Sequence, residues 1–233
     1  MFDFQVSDPI LNSPYQEPSR HWKIYEDQPA ELMASRRLPV YYYRFPGRET
    51  QATQKEDRGI QIELKLVSII RAQMSAWVEA GYPGASATTL DLLRHWTREG
   101  RPVPLFFAQR EAAQTVIFLT EARADFLQGI NVPLDEPSEA ARAEGLRAFK
   151  RLACKMATGT GKTTVMGMLA AWSILNKVAN PGDRRFSDAV LVVCPNVTIR
   201  NRLAELDPMK GDASLYRTRD LVPARLMQEL KQG

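Results

Sequence analysis

The glycine loop at residues 156–164, which reads MATGTGKTT, constrains the fold of this chain more than any other feature. A short apolar run at 152–156 leads into the loop, and a helical pattern over about 162–178 follows it. A loop between a strand and a helix can offer backbone N–H groups and the positive end of the helix dipole to a bound anion. The pattern therefore predicts a phosphate-binding loop in an α/β fold.

The polar residues of this loop predict an ATP site. Lys162 would reach the β- and γ-phosphates of ATP, and the hydroxyl of Thr163 would bind Mg²⁺. The other predicted cofactor-binding residues of the loop surround the phosphates: Thr158, Gly159, Thr160, Gly161 and Thr164. Phosphate loops generally carry a glycine five positions before Gly161, where this chain has Met156. Met156 in place of this glycine is the one departure of the loop from the general pattern.

Composition limits the cellular setting and the partners. A net charge of +4 permits an anionic partner but does not require one. Two cysteines in 233 residues argue against a disulfide scaffold and fit a reducing compartment. The first residues, MFDFQVSDPILNSP, have neither the basic start of a signal peptide nor the length of a membrane span. We therefore expect a cytoplasmic protein without a membrane partner.

The chain divides into four regions by its prolines and its apolar pattern. These are an irregular N-terminal arm (1–58), a helical region (59–127), an insertion or loop (128–148) and a partial ATP-binding lobe (149–233). Apolar residues at three- and four-residue steps predict helices over about 60–80, around Leu90–Trp96 and over about 108–127. The continuous apolar runs 152–156 and 189–194 are predicted to be strands, the second of them buried on both faces of a parallel sheet.

Two further segments carry candidate binding residues. Gln109 has a donor and an acceptor that can pair with the N6 and N7 edge of adenine, and the neighbouring Phe107 could stack on the ring. An ordinary amphipathic helix produces the same Phe-x-Gln spacing, so both interpretations stay open. After the second apolar run, Thr198, Arg200 and Arg202 could neutralise DNA phosphates without reading bases. A solvated helix face is the alternative for these three residues.

The amino-acid sequences of these segments resemble the motifs of superfamily 2 helicases of the DEAD/DEAH-like type. Residues 156–163 are similar to their first motif, 195–203 to the next motif and 106–112 to their glutamine motif. Segments 12–21, 79–84 and 216–223 resemble the ATP-dependent (Res) subunit of type III restriction endonucleases. The resemblance implies an incomplete RecA-like P-loop NTPase lobe, preceded by a mainly helical N-terminal region. It also implies ATP and Mg²⁺ as cofactors, double-stranded DNA as a partner and a methyltransferase subunit that reads the DNA sequence.

The resemblance also implies parts that these residues do not supply. In the family a DE box follows the 216–223 region, then a second RecA-like lobe and a nuclease domain. The one Asp-Glu pair, Asp135-Glu136, precedes the loop and follows Pro133, which cannot donate to a sheet. We therefore expect an N-terminal fragment without a complete catalytic set, which binds ATP weakly and hydrolyses it negligibly.

Three functions stay open at this point. The first is the ATP-binding part of a DNA helicase or translocase subunit of a type III restriction enzyme. The second is a truncated, catalytically inactive ATP- or DNA-binding remnant that acts only through a partner. The third, a small-molecule kinase with the same loop, predicts a lid of arginines after the second strand and finds little support in the remaining residues.

Overall fold

The computed structural model describes residues 8–25, 28–43, 60–194 and 197–232. The strands are β1 (His21–Lys23), β2 (Glu31–Met33), β3 (Val40–Tyr43), β4 (Ile60–Glu63), β5 (Leu134–Asp135) and β6 (Phe149–Lys150). The α-helices are α1 (Lys65–Glu79), α2 (Ala87–Thr97), α3 (Phe107–Glu121), α4 (Glu139–Ala143), α5 (Lys162–Ala179), α6 (Val197–Leu203), α7 (Leu215–Thr218) and α8 (Met227–Leu230). Short 3-10 helices cover Ala124–Leu127, Ala204–Leu206, Pro208–Ala213 and Ala224–Leu226. Among the described residues, no helix is long and apolar enough to cross a membrane.

Four longer helices, α1, α2, α3 and α5, build one hydrophobic core. In α1 the buried residues Ile70, Met74 and Trp77 recur at helical spacing, so one face of the helix is covered. The other helices contribute apolar residues that are equally buried: Leu92, Leu93, Trp96, Ala113, Ile117, Phe118, Met168, Ala171, Trp172 and Leu175. The three helices predicted upstream of the loop and the helix after it are therefore confirmed, with two differences in their bounds. Ile60–Glu63 forms strand β4 and lies outside α1, and α3 ends at Glu121 rather than near residue 127.

The strands form three separate antiparallel pairs. β1 pairs with β2, β3 with β4, and β5 with β6. In the arm, the aromatic stretch Val40–Tyr43 is extended and forms β3. Mixed helices and short strands fit the α/β class, but no parallel sheet is formed by the described residues.

The prediction that two apolar runs form strands is wrong. Residues 152–156 and 189–194 belong to no helix or strand. In the second run Leu191 is 88% exposed and Val193 is 83% exposed, where a buried strand was expected. An apolar groove of about 680 Å³ lies between this run and α5. Apolar composition favours a strand, but a strand also needs a partner strand, and neither run pairs with a strand in the described part of the chain.

The Asp135-Glu136 pair is engaged in ion pairs, with Asp135 partly exposed and Glu136 exposed. Asp135 forms an ion pair with Arg151, and Glu136 forms one with Arg142 at 2.8 Å. Both carboxylates therefore already have cationic partners. The prediction that this pair does not organise Mg²⁺ is consistent with these contacts.

A buried polar network joins α2, α3 and α5. The carboxylate of Glu121, at the end of α3, accepts hydrogen bonds from Ser86 N (2.8 Å), Thr89 Oγ1 (2.6 Å) and Trp172 Nε1 (2.7 Å). Asn176 Nδ2 donates to Thr89 Oγ1 at 2.9 Å. Because buried polar groups are costly when unpaired, this network fixes the helix that precedes the loop against the helix that follows it.

Candidate nucleotide-binding site

The glycine loop enters α5 through two left-handed glycines. Gly159 has φ +83° and Gly161 has φ +79°, a region in which residues with a Cβ are strained. Within the described part of the chain, the N–H groups of Gly159, Gly161, Lys162 and Thr163 donate to no acceptor. Unpaired amides at a helix start, together with the helix dipole, form a favourable environment for an anion.

The side chains of the loop are folded back onto one carbonyl group. Ala157 O accepts from Lys162 Nζ at 2.9 Å, from Thr160 Oγ1 at 2.7 Å and from Thr160 N at 3.4 Å. Lys162 itself is exposed. Its ammonium group therefore needs only to leave one carbonyl oxygen in order to reach a phosphate.

Gln109 is brought to the loop from 51 residues earlier in the chain. Its Oε1 accepts from Phe106 N at 2.9 Å, and its Nε2 donates to Thr160 O at 3.0 Å. The side chain is only 6% exposed. The amide therefore braces the loop against the start of α3, and it keeps one hydrogen and one lone pair for a ligand.

A cavity of about 290 Å³ opens between the loop, the start of α3 and two more distant segments. Ten residues line it: Tyr15, Val103, Pro104, Leu105, Phe106, Gln109, Gly159, Gly161, Thr164 and Arg219. The rings of Tyr15 and Phe106 are 5.5 Å apart and tilted against each other. This cavity combines aromatic rings at one side with loop residues at the other, which suits a nucleotide.

The predicted stacking residue Phe107 does not line this cavity. Its ring lies under the guanidinium of Arg36, with 5.3 Å between the guanidinium carbon and the ring centroid. Phe107 is the first residue of α3, whereas Phe106 is an extended N-cap residue, so the two adjacent side chains leave the backbone in different directions. The aromatic residues at the cavity are therefore Phe106 and Tyr15.

The N-terminal arm supplies one wall of the site. Phe107 N donates to Pro14 O at 2.7 Å, and Arg110 donates to Tyr15 O at 2.6 Å. Arg36 also joins Glu17 to Glu111 of α3, at 2.9 Å and 2.7 Å. The reasoning from sequence did not place Tyr15 in the site, although it lies in the Res-like segment 12–21.

Arg219 was also missed, and it reaches the cavity from the end of α7. Leu221 N donates to Tyr216 O at 2.9 Å, and Asp220 N donates to Arg217 O at 3.1 Å. Asp220 has φ +50°, so the helix ends in a Schellman motif with Asp in place of the usual glycine. The only sequence signal for Arg219 was its position in the Res-like segment 216–223.

Charged residues at the end of α2 and just after it hold the end of α7 in place. Arg101 donates to the carbonyl oxygens of Arg219 (3.0 Å) and Asp220 (2.9 Å). The Asp220 carboxylate contacts Arg98 and lies 3.1 Å from His95 Nε2. Burial alone would raise the pKa of Asp220, but the hydrogen bond from Arg98 holds it below its ordinary value. Burial, with repulsion from Arg98, lowers the pKa of His95.

The lowered pKa of His95 predicts a loss of stability on mild acidification. Below about pH 6.5 the unfolded chain binds a proton at this residue more readily than the folded chain does. The free energy of unfolding should therefore fall between pH 7.5 and pH 5.5, measured by urea denaturation. The decrease should be smaller in His95→Gln than in wild type or in His21→Gln. An equal decrease in all three proteins would contradict this assignment.

The predicted DNA-contacting residues lie on α6. Arg200 is exposed on this helix. Thr198 and Arg202 also belong to it, but their side chains lie outside the described part of the chain, as do Pro195 and Asn196. The contact of Thr198, Arg200 and Arg202 with a DNA backbone therefore stays a prediction.

Thr163 is the second residue of α5 and is partly exposed. Its hydroxyl has no hydrogen-bond partner among the described residues. The same residues contain no group of three or more His, Cys, Asp and Glu side chains that could hold a metal ion. The arrangement fits a Mg²⁺ ion that takes most of its ligands from nucleotide phosphates and water, with one hydroxyl from the protein.

Comparison with known families agrees with this geometry. Residues 103–213 match the family model of the type III restriction enzyme, res subunit (ResIII). This segment is similar to the ResIII family over those residues. The ResIII segment contains Gln109, the glycine loop and α6, so the resemblance derived from the sequence is confirmed. The match suggests a RecA-like fold and a helicase-like, ATP-dependent hydrolase for this segment. Tyr15 and Arg219 lie outside the ResIII segment. Searches of curated proteins and of solved structures find no significant match.

Proposed function

We propose that this chain binds Mg²⁺·ATP at the glycine loop, as the ATP-binding part of a DNA helicase or translocase subunit of a type III restriction enzyme. One observation carries the proposal: the unpaired amides at the start of α5 lie beside a buried glutamine and a cavity with aromatic lining. The ResIII match covers both the loop and the glutamine. This arrangement supports a phosphate cradle beside a pocket for a base.

The roles of the residues follow from chemistry. Lys162 would exchange the carbonyl of Ala157 for the β- and γ-phosphates, and the loop amides would donate to the same phosphates. Thr163 would contribute its hydroxyl to Mg²⁺, which supplies charge neutralisation when it is bound. Gln109 would use its remaining hydrogen and lone pair on adenine. Thr158, Gly159, Thr160, Gly161 and Thr164 would shape the loop around the phosphates.

The proposed partners are inferred from the resemblance to the ResIII family and from the net charge of the chain. DNA would contact Thr198, Arg200 and Arg202 through its phosphates, which fits the net charge of +4. A methyltransferase subunit would supply sequence recognition, and the complex would act in the cytoplasm. Filter retention of duplex DNA tests the proposed contact with the DNA backbone. Arg200→Ala should weaken retention at low salt and reduce its dependence on salt.

The direct test of the proposal is a titration with a fluorescent ATP analogue. Lys162→Ala should weaken binding by tenfold or more, because a charge-assisted hydrogen bond contributes about 1.5–3 kcal/mol. Lys155→Ala is the matched control, since it removes an exposed lysine just before the loop. Equal affinity in wild type and Lys162→Ala would contradict the proposal. The titration is repeated with duplex DNA to detect coupling between the two ligands.

A hydrolysis assay can exclude the alternative to the proposal, which is an inactive ATP- or DNA-binding remnant that acts only through a partner. Phosphoryl transfer needs a metal held from two sides, a positioned water and neutralised charge. Of these, the loop supplies Lys162 and Thr163, and no carboxylate pair follows it in the sequence. We expect negligible ATP turnover by these 233 residues, measured as phosphate release with and without DNA. DNA-stimulated turnover that is lost in Lys162→Ala would contradict this expectation and exclude the inactive alternative.

A further inference from the structure

We infer that Arg219 is a second cationic ligand of the bound nucleotide and contacts its α-phosphate. This inference rests on the proposed function, because it requires a nucleotide in the cavity beside the loop. Arg219 lies outside the ResIII segment, in a part of the chain to which the family model assigns nothing. Its role follows from the charge, the position and the rigidity of the segment that carries it.

The charge of the cavity favours an anion. Arg219 is the only charged residue among those that line it, and no carboxylate does so. In the described part of the chain, its guanidinium makes no hydrogen bond and no ion pair. The nearest carboxylate in sequence, Asp220, is already engaged by Arg98 and His95. A guanidinium without an anionic partner, facing an uncharged cavity, is suited to bind a phosphate oxygen.

The position of Arg219 in the cavity indicates which phosphate of the nucleotide it contacts. Arg219 shares the cavity with Gly159, Gly161 and Thr164 on the loop side and with Tyr15 and Phe106 on the aromatic side. Lys162 does not line this cavity; it borders a separate apolar one with Met156 and Val165. Arg219 therefore lies between the place for the base and the place for the outer phosphates. The phosphate found there in a nucleotide is the one attached to the ribose.

The segment that presents Arg219 is rigid, so the guanidinium is held near the cavity. Arg101 binds the Arg219 carbonyl oxygen, and Trp96 Nε1 donates to Leu221 O at 2.7 Å. Leu221 also packs on α5: a Cβ added at Gly167 would lie 3.1 Å from Leu221 Cδ1. The helix that begins at the loop and the turn that carries Arg219 are thus in direct contact. Little conformational entropy of the backbone is lost when the arginine binds.

The test compares four competitors of the fluorescent ATP analogue: ATP, ADP, AMP and adenosine. Arg219→Ala should weaken ATP, ADP and AMP by the same factor, about tenfold, and leave adenosine unchanged. Lys162→Ala should weaken ATP and ADP and leave AMP unchanged. AMP is titrated to millimolar concentration so that weak competition is detected, because a β-phosphate contact would also weaken ATP and ADP equally. Arg219→Lys should recover part of the affinity, because it restores the charge without the planar fork.

The control is Arg217→Ala, which removes an exposed arginine two residues away that lies 3.6 Å from Asp212. It should leave all four affinities unchanged. If Arg219→Ala binds ATP as wild type does while Lys162→Ala does not, this inference is wrong and the proposed function stands. A loss that extends to adenosine, or that appears only in DNA retention, also overturns it. If wild type binds none of the nucleotides, the proposed function itself fails.

Discussion

Replacing Glu121 with alanine should lower the free energy of unfolding by about 3 kcal/mol or more. The carboxylate is 3% exposed and accepts from three donors, on Ser86, Thr89 and Trp172. Without it Ser86 N and the Thr89 hydroxyl lose this acceptor, and Trp172 Nε1 keeps only its longer bond to Thr89 Oγ1 at 3.1 Å. Each buried donor without an acceptor carries a desolvation cost. The same change loosens α3 from α5, so binding of the ATP analogue should weaken as well.

Two variants separate this effect from a general effect of losing a glutamate. Glu121→Gln keeps one amide oxygen as an acceptor and should destabilise the protein less than alanine does. Glu79→Ala removes an exposed carboxylate at the end of α1 and should change stability by no more than about 0.5 kcal/mol. Urea denaturation followed by circular dichroism measures all three. An unfolding free energy for Glu121→Ala within 1 kcal/mol of wild type, on the scale of ordinary surface changes, would contradict the role of the network.

The second large effect is expected for Gly161→Ala, which should abolish detectable binding of the ATP analogue. A Cβ at this position would lie 2.1 Å from Gln109 Nε2, and the residue has φ +79°. The left-handed backbone alone costs about 1–3 kcal/mol for a residue with a Cβ. The clash adds to this cost, because Gln109 is buried and cannot move without releasing its bond to Thr160 O. The loop and the start of α5 should therefore be distorted.

Gly159→Ala is the matched control for this variant. Gly159 has a similar φ of +83°, but an added Cβ would meet nothing within 4 Å. Gly159→Ala should be destabilised only by its left-handed backbone, and it should keep part of its affinity for the ATP analogue. Adding Gln109→Ala to Gly161→Ala should remove the clash and recover stability relative to Gly161→Ala alone. If the two alanine variants behave alike, the contact between Gln109 and the loop has no energetic consequence.

Local features of this chain were predictable from the sequence. The helical periods of α1, α2 and α3 and the glycine loop depend on residues close together in the chain, and the structure confirms these elements. The runs 152–156 and 189–194 were mispredicted because a strand depends on a partner, and an apolar sequence does not reveal whether that partner is present. The three antiparallel strand pairs were not predicted either, because the local sequence does not reveal which segments pair.

The details of the site depend on contacts over long distances in the chain. Gln109 was found by its spacing before the loop, but its bond to Thr160 O could not be read from spacing. Tyr15 and Arg219 enter the cavity from opposite ends of the sequence, so no local pattern joins them. The choice between Phe106 and Phe107 depended on the residue at which α3 begins, and helix boundaries are the least predictable feature of a sequence.

Hydrogen exchange with and without Mg²⁺·ATP tests the central claim most directly, which is that the loop at 156–164 binds the phosphates of ATP. The amides of Gly159, Gly161, Lys162 and Thr163 have no acceptor in the described part of the chain, so they should exchange fast without nucleotide. Mg²⁺·ATP at a concentration just sufficient to saturate wild type should slow exchange in peptides covering the loop in wild type and in Lys155→Ala, and should slow it much less in Lys162→Ala. Unchanged exchange in the loop while ATP is bound, or equal protection in Lys162→Ala, would contradict the account.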